Sequence, residues 1–240
     1  MSPQIFFFIL PVIILVSGCY KKDGCCGNEP QGVVDQLNDY NRSAIFLEIN
    51  KTIESGNQFI DLENKNISDL TPLIALKGIG SLYLGDNYIE DLSPLAGFSN
   101  LWDLRLSNNY ISDLTPLAGL TGLTRLCLEE NKISDLSALK ELKGLKELRL
   151  WENKISDLSP LEGHKHLKEL YLNRNQIADI SFLAGMKNLK KLSLWGNEIT
   201  DVSSLVELTN LVELELSHND IPAEQKEMLE KALPNTQISW

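Results

Sequence analysis

Three observations predict an α/β solenoid, a coil of short parallel strands and short helical turns. From Ile67 to Asp220 the chain repeats itself every 22 residues. Within each unit a stretch such as "ELRLW" (Glu147 to Trp151) alternates polar and apolar, the mark of a short strand with one buried face. Asparagine then recurs just after the strand, at 87, 109, 131, 153, 175, 197 and 219. A single unit cannot bury its apolar face, but stacked neighbours can. The expected architecture is a curved coil with a parallel β-sheet on its concave side and short helical or 3-10 turns on the convex side. A helix caps the N-terminal end, and a helix plus a strand caps the other.

The units read "ISDLTPLIALKGIGSLYLGDNY", "IEDLSPLAGFSNLWDLRLSNNY", "ISDLTPLAGLTGLTRLCLEENK" and so on, seven in all. "FIDLENKN" (Phe59 to Asn66) is the strand end of an eighth, degenerate one. In the strand quoted above, Leu148 and Leu150 point inward, and Glu147, Arg149 and Trp151 outward. Ile155, Leu158 and Leu161 furnish the core of the return leg. An asparagine side chain both donates and accepts, so a stacked column of them can satisfy turn backbone that has no strand partner. The first unit has Lys65 there, between Asn64 and Asn66, and the ladder is expected to end at that point. Asp69, Asp91, Asp113, Asp135, Asp157, Asp179 and Asp201 form a second column. Each is expected to cap the next helical turn, with Pro72, Pro94, Pro116 and Pro160 just inside it. A calcium ladder needs more oxygen ligands than one Asp per turn supplies.

The pattern L-x-x-L-x-L-x-x-N-x-I, seen as Leu145, Leu148, Leu150, Asn153 and Ile155, resembles the leucine-rich repeat. The trailing "ISDLSPL" is similar to the internalin type found on bacterial surfaces. The resemblance covers residues 59–221 and implies a protein partner held on the concave face.

The ends carry separate signals. "IFFFILPVIILV" followed by "SGCY" reads as a secretory signal peptide, too short for a membrane span. Val16-Ser17-Gly18-Cys19 resembles the lipobox of bacterial lipoproteins, which implies cleavage before Cys19 and lipid on its sulfur. An ordinary cleaved signal is the plainer alternative. The expected organisation is a signal peptide over 1–18, a lipidated Cys and flexible tether over 19–32, and a helical cap over 33–58. That cap would bury Ile45, Ile49 and Ile53. The repeats over 59–221 precede a C-terminal cap over 222–240, with Pro222 at a helix start, apolar Met228, Leu229 and Leu233, and a final extended "TQISW". Both caps are expected to shield strand edges, and the domain to close at Trp240. Lipidation implies a cell-envelope location, with the outer membrane or cell surface favoured.

A net charge of −11 argues against nucleic acid as a partner. Cys19 is assigned to lipid, Cys25 and Cys26 are adjacent, and Cys127 stands alone, so neither a disulfide framework nor metal-ligand spacing is present. No catalytic constellation, cofactor loop or metal site is expected, and the chain reads as a binding module, not an enzyme. Cys127 reads as a small spacer, His164 as a local packing defect in a column of Leu, Phe and Met, and Trp102 as edge packing. One outward column is Asp61, Tyr83, Arg105, Cys127, Arg149, Tyr171, Ser193 and Glu215. The next is Glu63, Gly85, Ser107, Glu129, Trp151, Asn173, Trp195 and Ser217. With strands about 4.8 Å apart, Trp151 and Trp195 fall about 10 Å from each other, with Tyr171 between them. Exposed Trp, Tyr and Arg dominate protein interfaces. The candidate surface is therefore Trp151, Tyr171 and Trp195, with Tyr83, Arg105, Arg149, Arg174, Glu130, Glu152 and Glu169 around them. Stacking on a glycan and packing against a second copy of the chain are the competing readings.

Overall fold

The computed structural model describes residues 45–240. The signal peptide, Cys19, the tether with Cys25 and Cys26, and the start of the N-terminal cap lie outside the described residues. The solenoid is as expected: nine short parallel strands lie in chain order in one open, curved sheet. They are β1 (Phe59–Asp61), β2 (Ser81–Tyr83), β3 (Asp103–Arg105), β4 (Arg125–Cys127), β5 (Glu147–Arg149), β6 (Glu169–Tyr171), β7 (Lys191–Ser193), β8 (Glu213–Glu215) and β9 (Gln237–Ser239). Up to β8 each strand pairs with the residue 22 positions on, so Leu82, Leu104, Leu126, Leu148, Leu170, Leu192 and Leu214 stack in one buried column. Ladder bonds continue past the strands, as from Leu150 N–H to Tyr171 O and from Glu152 N–H to Asn173 O.

The turn leaving each strand is built by two neighbouring positions. The residue just before the asparagine position is left-handed in every unit: 64, 86, 108, 130, 152, 174, 196 and 218 have φ between 50° and 68°. Asn64, Asp86 and Asn108 are residue types that tolerate this conformation, and Gly196 adopts it freely. Glu130, Glu152 and Arg174 do not share that ease. The asparagine then ties two units together. Asn153 Nδ2 donates to Leu150 O at 3.1 Å and to Leu128 O at 3.0 Å, while its Oδ1 accepts the Ile133 N–H at 2.9 Å. Each asparagine thus serves the backbone of the unit before it. This explains Lys65: its turn is completed by Asn87, whose Oδ1 accepts the N–H groups of Lys65 and Ile67.

The convex side is made of 3-10 turns such as Ser93–Leu95 and Ser159–Leu161. The aspartates sit one residue ahead of the formal cap. Each Oδ1 accepts the N–H two residues on, as from Ser93 to Asp91, Ser137 to Asp135 and Ser159 to Asp157, all at 2.8 Å. The Ser or Thr hydroxyl, and after it this backbone N–H, hold the carboxyls of Asp91, Asp113 and Asp135 below their ordinary pKa. His164 is fully buried, and its Nδ1 and Nε2 face Leu161 O and Leu139 O at 2.9 and 3.1 Å.

The caps depart from expectation in one detail. The described N-terminal helix, α1 (residues 45–55), buries Ile45, Ile49 and Thr52, whereas Ile53 is 46% exposed. The buried stripe therefore follows the i, i+4, i+7 course, and Ile53 falls beyond its edge. At the other end the cap is the expected helix and strand: α2 (Ala223–Ala232) buries Leu229, Leu233 is buried just after it, and β9 pairs with β8. Among the described residues no helix is long and apolar enough to cross a membrane.

Candidate binding surface on the concave sheet

Three side-chain columns cover the concave face, because the residue opening each strand points the same way as the two already identified. The third column reads Phe59, Ser81, Asp103, Arg125, Glu147, Glu169, Lys191 and Glu213. Sequence reasoning placed Glu147 outward but did not follow this column, and with it missed Asp103 and Arg125. The same 22-residue step would have found them.

These residues form a charged network in the middle of the sheet. Asp103 is 1% exposed, and Arg105 Nη2 and Arg125 Nη1 lie 3.5 and 3.3 Å from its Oδ2. Arg125 Nε donates to Glu147 Oε2 at 2.7 Å, and Arg149 Nε donates to Glu147 Oε1 at 2.7 Å. Burial alone would raise the Glu147 carboxyl, but the two guanidinium hydrogen bonds outweigh it and hold the group below its ordinary pKa. Tyr83 OH donates to Asp103 Oδ2 at 3.1 Å and accepts from Arg105 Nη2 at 2.8 Å. The Arg105 guanidinium lies over the Tyr83 ring, 3.8 Å from its centroid.

Farther along, Trp151, Tyr171 and Trp195 are half-buried on successive strands. Tyr171 and Trp195 each have polar neighbours of their own. The Arg149 guanidinium sits 5.3 Å from the Tyr171 ring centre and that of Arg174 sits 4.6 Å from Trp195. Tyr171 OH donates to Glu169 Oε2 at 2.9 Å, and burial, then this carboxylate, push the phenol up to about 12. Trp195 Nε1 donates to His218 Nδ1 at 2.9 Å, a partner that lay outside the expected set. Among the described residues the close ring pairs are Phe59–Tyr83, Tyr88–Tyr110 and Trp195–His218, so the three aromatics share a surface without stacking on one another. Arg174 also pairs with Glu152, which places two of the expected rim residues in contact. Glu130 is exposed at the edge of the same region.

Cys127 is buried between Arg105 and Arg149, and burial pushes its thiol up to about 12. A thiol of that acidity stays protonated and is a poor nucleophile. Trp102 is 48% exposed and lies across Gly80, where an added Cβ would come within 2.6 Å of its Nε1. A second exposed aromatic feature is the stacked pair Tyr88 and Tyr110, whose ring centres are 6.1 Å apart. They flank a hollow of about 530 Å³ lined also by Asn64, Asn66, Asp86 and Asn108.

Comparisons with known proteins agree with this geometry. The family model described as leucine-rich repeats in two copies matches residues 99–141 and 143–185, and a second, leucine-rich repeat, matches 165–221. A search of curated proteins returns no match. An internalin from Listeria monocytogenes superposes with a TM-score of 0.70 at 34% identity, covering 72% of this chain and 51% of that one. Internalin C2 from the same organism gives 0.68 at 29% identity, covering 76% and 80%. The leucine-rich-repeat ectodomain of a plant receptor kinase from Arabidopsis thaliana, solved in complex with Casparian strip integrity factor 2, gives 0.58 at 26% identity over 64% and 20%. The chain thus spans about half the length of the first of these structures.

Proposed function

From a chain that is a leucine-rich-repeat protein, we propose a membrane-anchored binding module that grips a protein partner on its concave face. Leucine-rich repeats commonly mediate protein–protein binding, and the plant ectodomain in complex with its integrity factor is a case of a related solenoid holding a partner. The observation that carries the reading is the run of Trp151, Tyr171 and Trp195 over β5 to β7, with Arg149 and Arg174 laid against two of the rings. Half-exposed aromatics and arginines in one patch are the usual anchors of an interface. Glu130, Glu152 and Glu169 form its polar rim, and Tyr83 and Arg105 extend it toward the N-terminal strands. Cys19 carries the lipid in this reading and fixes the module to the cell envelope, with an outer membrane or cell surface favoured.

Affinity capture with the full-length protein from envelope and host-surface extracts tests this, with a Trp151→Ala/Trp195→Ala double variant alongside. Capture lost in a still-folded variant supports the surface. Equal capture by both removes it, and a concentration-dependent mass of the protein alone would point to self-assembly. Cys19→Ser should shift the protein from the membrane pellet to the soluble fraction.

A glycan ligand is favoured by a different feature. Tyr88 and Tyr110 are 51% and 42% exposed and adjoin Asn and Asp side chains, a surface on which a sugar ring could stack and hydrogen-bond. Binding abolished by Tyr88→Ala/Tyr110→Ala and by free sugar, but indifferent to the tryptophans, would establish that reading instead.

A further inference from the structure

At the N-terminal half of the concave face, the column just beyond the strands reads Glu63, Gly85, Ser107, Glu129 from β1 to β4. Two acids three strands apart, about 14 Å at the usual spacing, are thus separated by two of the smallest residues. Gly85 cannot be enlarged without displacing its neighbour, since an added Cβ would come within 2.8 Å of Ser107 Oγ. Cys127 is small in the adjoining column. The result is a pocket of about 360 Å³ floored by Ser107 and Cys127 and walled by Glu63, Glu129, Arg105 and Arg149.

The arginines around it are already engaged. Arg125 is held by Glu147 and Asp103, Arg149 by Glu147, and Arg105 by Asp103 and the Tyr83 hydroxyl. Not every polar atom of the site is served: Arg105 Nε and Asp103 Oδ1 have no hydrogen-bond partner, and Glu129, 8% exposed and meeting only its own backbone N–H, has none on Oε2. A buried ionised carboxylate without a donor is costly, and native structures seldom leave one so. Burial raises both Glu129 and Glu63 above their ordinary pKa, as it does where counter-charge is short. The lining brings three guanidiniums, of Arg105, Arg125 and Arg149, to three carboxylates, of Glu63, Glu129 and Glu147, and Asp103 outside the lining pairs with Arg105 and Arg125, so the connected network carries one negative charge in excess.

We propose that this pocket receives the cationic end of a lysine or arginine side chain of the bound protein, with Glu129 Oε2 accepting its N–H and Glu63 flanking it from the opposite wall. The proposal rests on the protein-binding reading above and names the chemistry its partner must present. A monocation restores neutrality to the network and supplies the donor that Glu129 Oε2 lacks. Gly85, Ser107 and Cys127 leave room for the aliphatic stem, which the aromatic end of the sheet does not offer.

The test titrates the full-length protein by ligand-observed NMR with four small probes. These are Nα-acetyl-arginine amide, Nα-acetyl-lysine amide, the uncharged Nα-acetyl-citrulline amide and the acidic Nα-acetyl-glutamate amide. One or both cations should bind with roughly millimolar affinity and weaken at least about tenfold in Glu129→Gln. Glu213→Gln, on the same face but outside the pocket, should bind as wild type does. Thermal melts establish that the variants are folded, and Glu63→Gln replaces Glu129→Gln if the latter is not. Undiminished cation binding by both pocket variants, citrulline binding as tight as arginine, preference for the acidic probe, or no binding below about 10 mM would each overturn the proposal. A partner captured through Trp151 and Trp195 yet indifferent to Glu129→Gln would sink the pocket and leave the binding surface standing. Glu129-dependent cation binding beside capture indifferent to both tryptophans would do the reverse.

Discussion

Arg125 Nε donates to Glu147 Oε2 at 2.7 Å across the β4–β5 boundary, while the same guanidinium reaches back to Asp103 on β3. One side chain thereby links three strands and compensates two buried carboxylates. Truncating it leaves both without their shared counter-charge. Because Glu147 keeps Arg149 and Asp103 keeps Arg105, Arg125→Ala should cost about 1–2 kcal/mol in urea denaturation. Replacing an exposed lysine of the convex side, such as Lys187, should fall within about 0.5 kcal/mol of wild type.

Asn153 has no substitute in its turn. Asn153→Ala strips Leu128 O and Leu150 O of a donor and the Ile133 N–H of its acceptor. Destabilisation of about 3 kcal/mol is expected, and Leu148→Ala should cost a similar amount through its cavity. Melts unchanged in either variant would contradict the repeat architecture.

His164 should make stability depend on pH. Its surroundings, chiefly burial and then Lys143, lower its pKa below the ordinary value despite the two carbonyl contacts. The unfolded chain therefore takes up a proton near pH 6.5 that the folded one resists, and stability falls as pH drops below about 6.5. A neutral ring can donate to only one of its two facing carbonyls. His164→Leu, which restores the apolar type of its column, should raise stability by about 1 kcal/mol near neutrality and flatten the response between about pH 7 and 5. A Tm that falls as steeply with acid in the variant as in wild type would show that other groups are responsible.

The left-handed column sets stability against binding. Glu130 occupies φ of 56°, a conformation that Asn adopts more easily. Glu130→Asn should stabilise the fold by about 0.5 kcal/mol while weakening any partner held by that rim. Gly196→Ala, at φ of 68°, should destabilise by about 1 kcal/mol. A stabilised Glu130→Asn with unchanged capture would remove Glu130 from the interface.

The solenoid was legible because each unit restates the same constraints, so an ambiguity in one is settled by its neighbours. The strands, the asparagine turns and the aspartate contacts all follow from the period. The ends have no second copy to check against, and there Ile53 was assigned to a buried stripe it does not join. On the concave face, alternation told which residues look outward but not which are joined. The Asp103–Arg125–Glu147 network depends on side-chain reach across strands, which a 22-residue period does not encode. Trp195 meeting His218 joins residues 23 apart, a contact set by a turn residue in the next unit.

The asparagine bonds all point the same way along the chain, to carbonyls 25 residues back and N–H groups 20 residues back. A nascent polypeptide emerging from its N-terminus would therefore always hold one unfinished turn at its growing end, completed only when the following coil arrives. Asn219 completes the turn before it, and α2 lends Gln225 to the Val202 N–H. Folding that tracks synthesis would then advance in steps of one coil, each locking its predecessor. A chain cut short from the C-terminal side would lose its latch, while one cut from the N-terminal side would lose only what the latch had held.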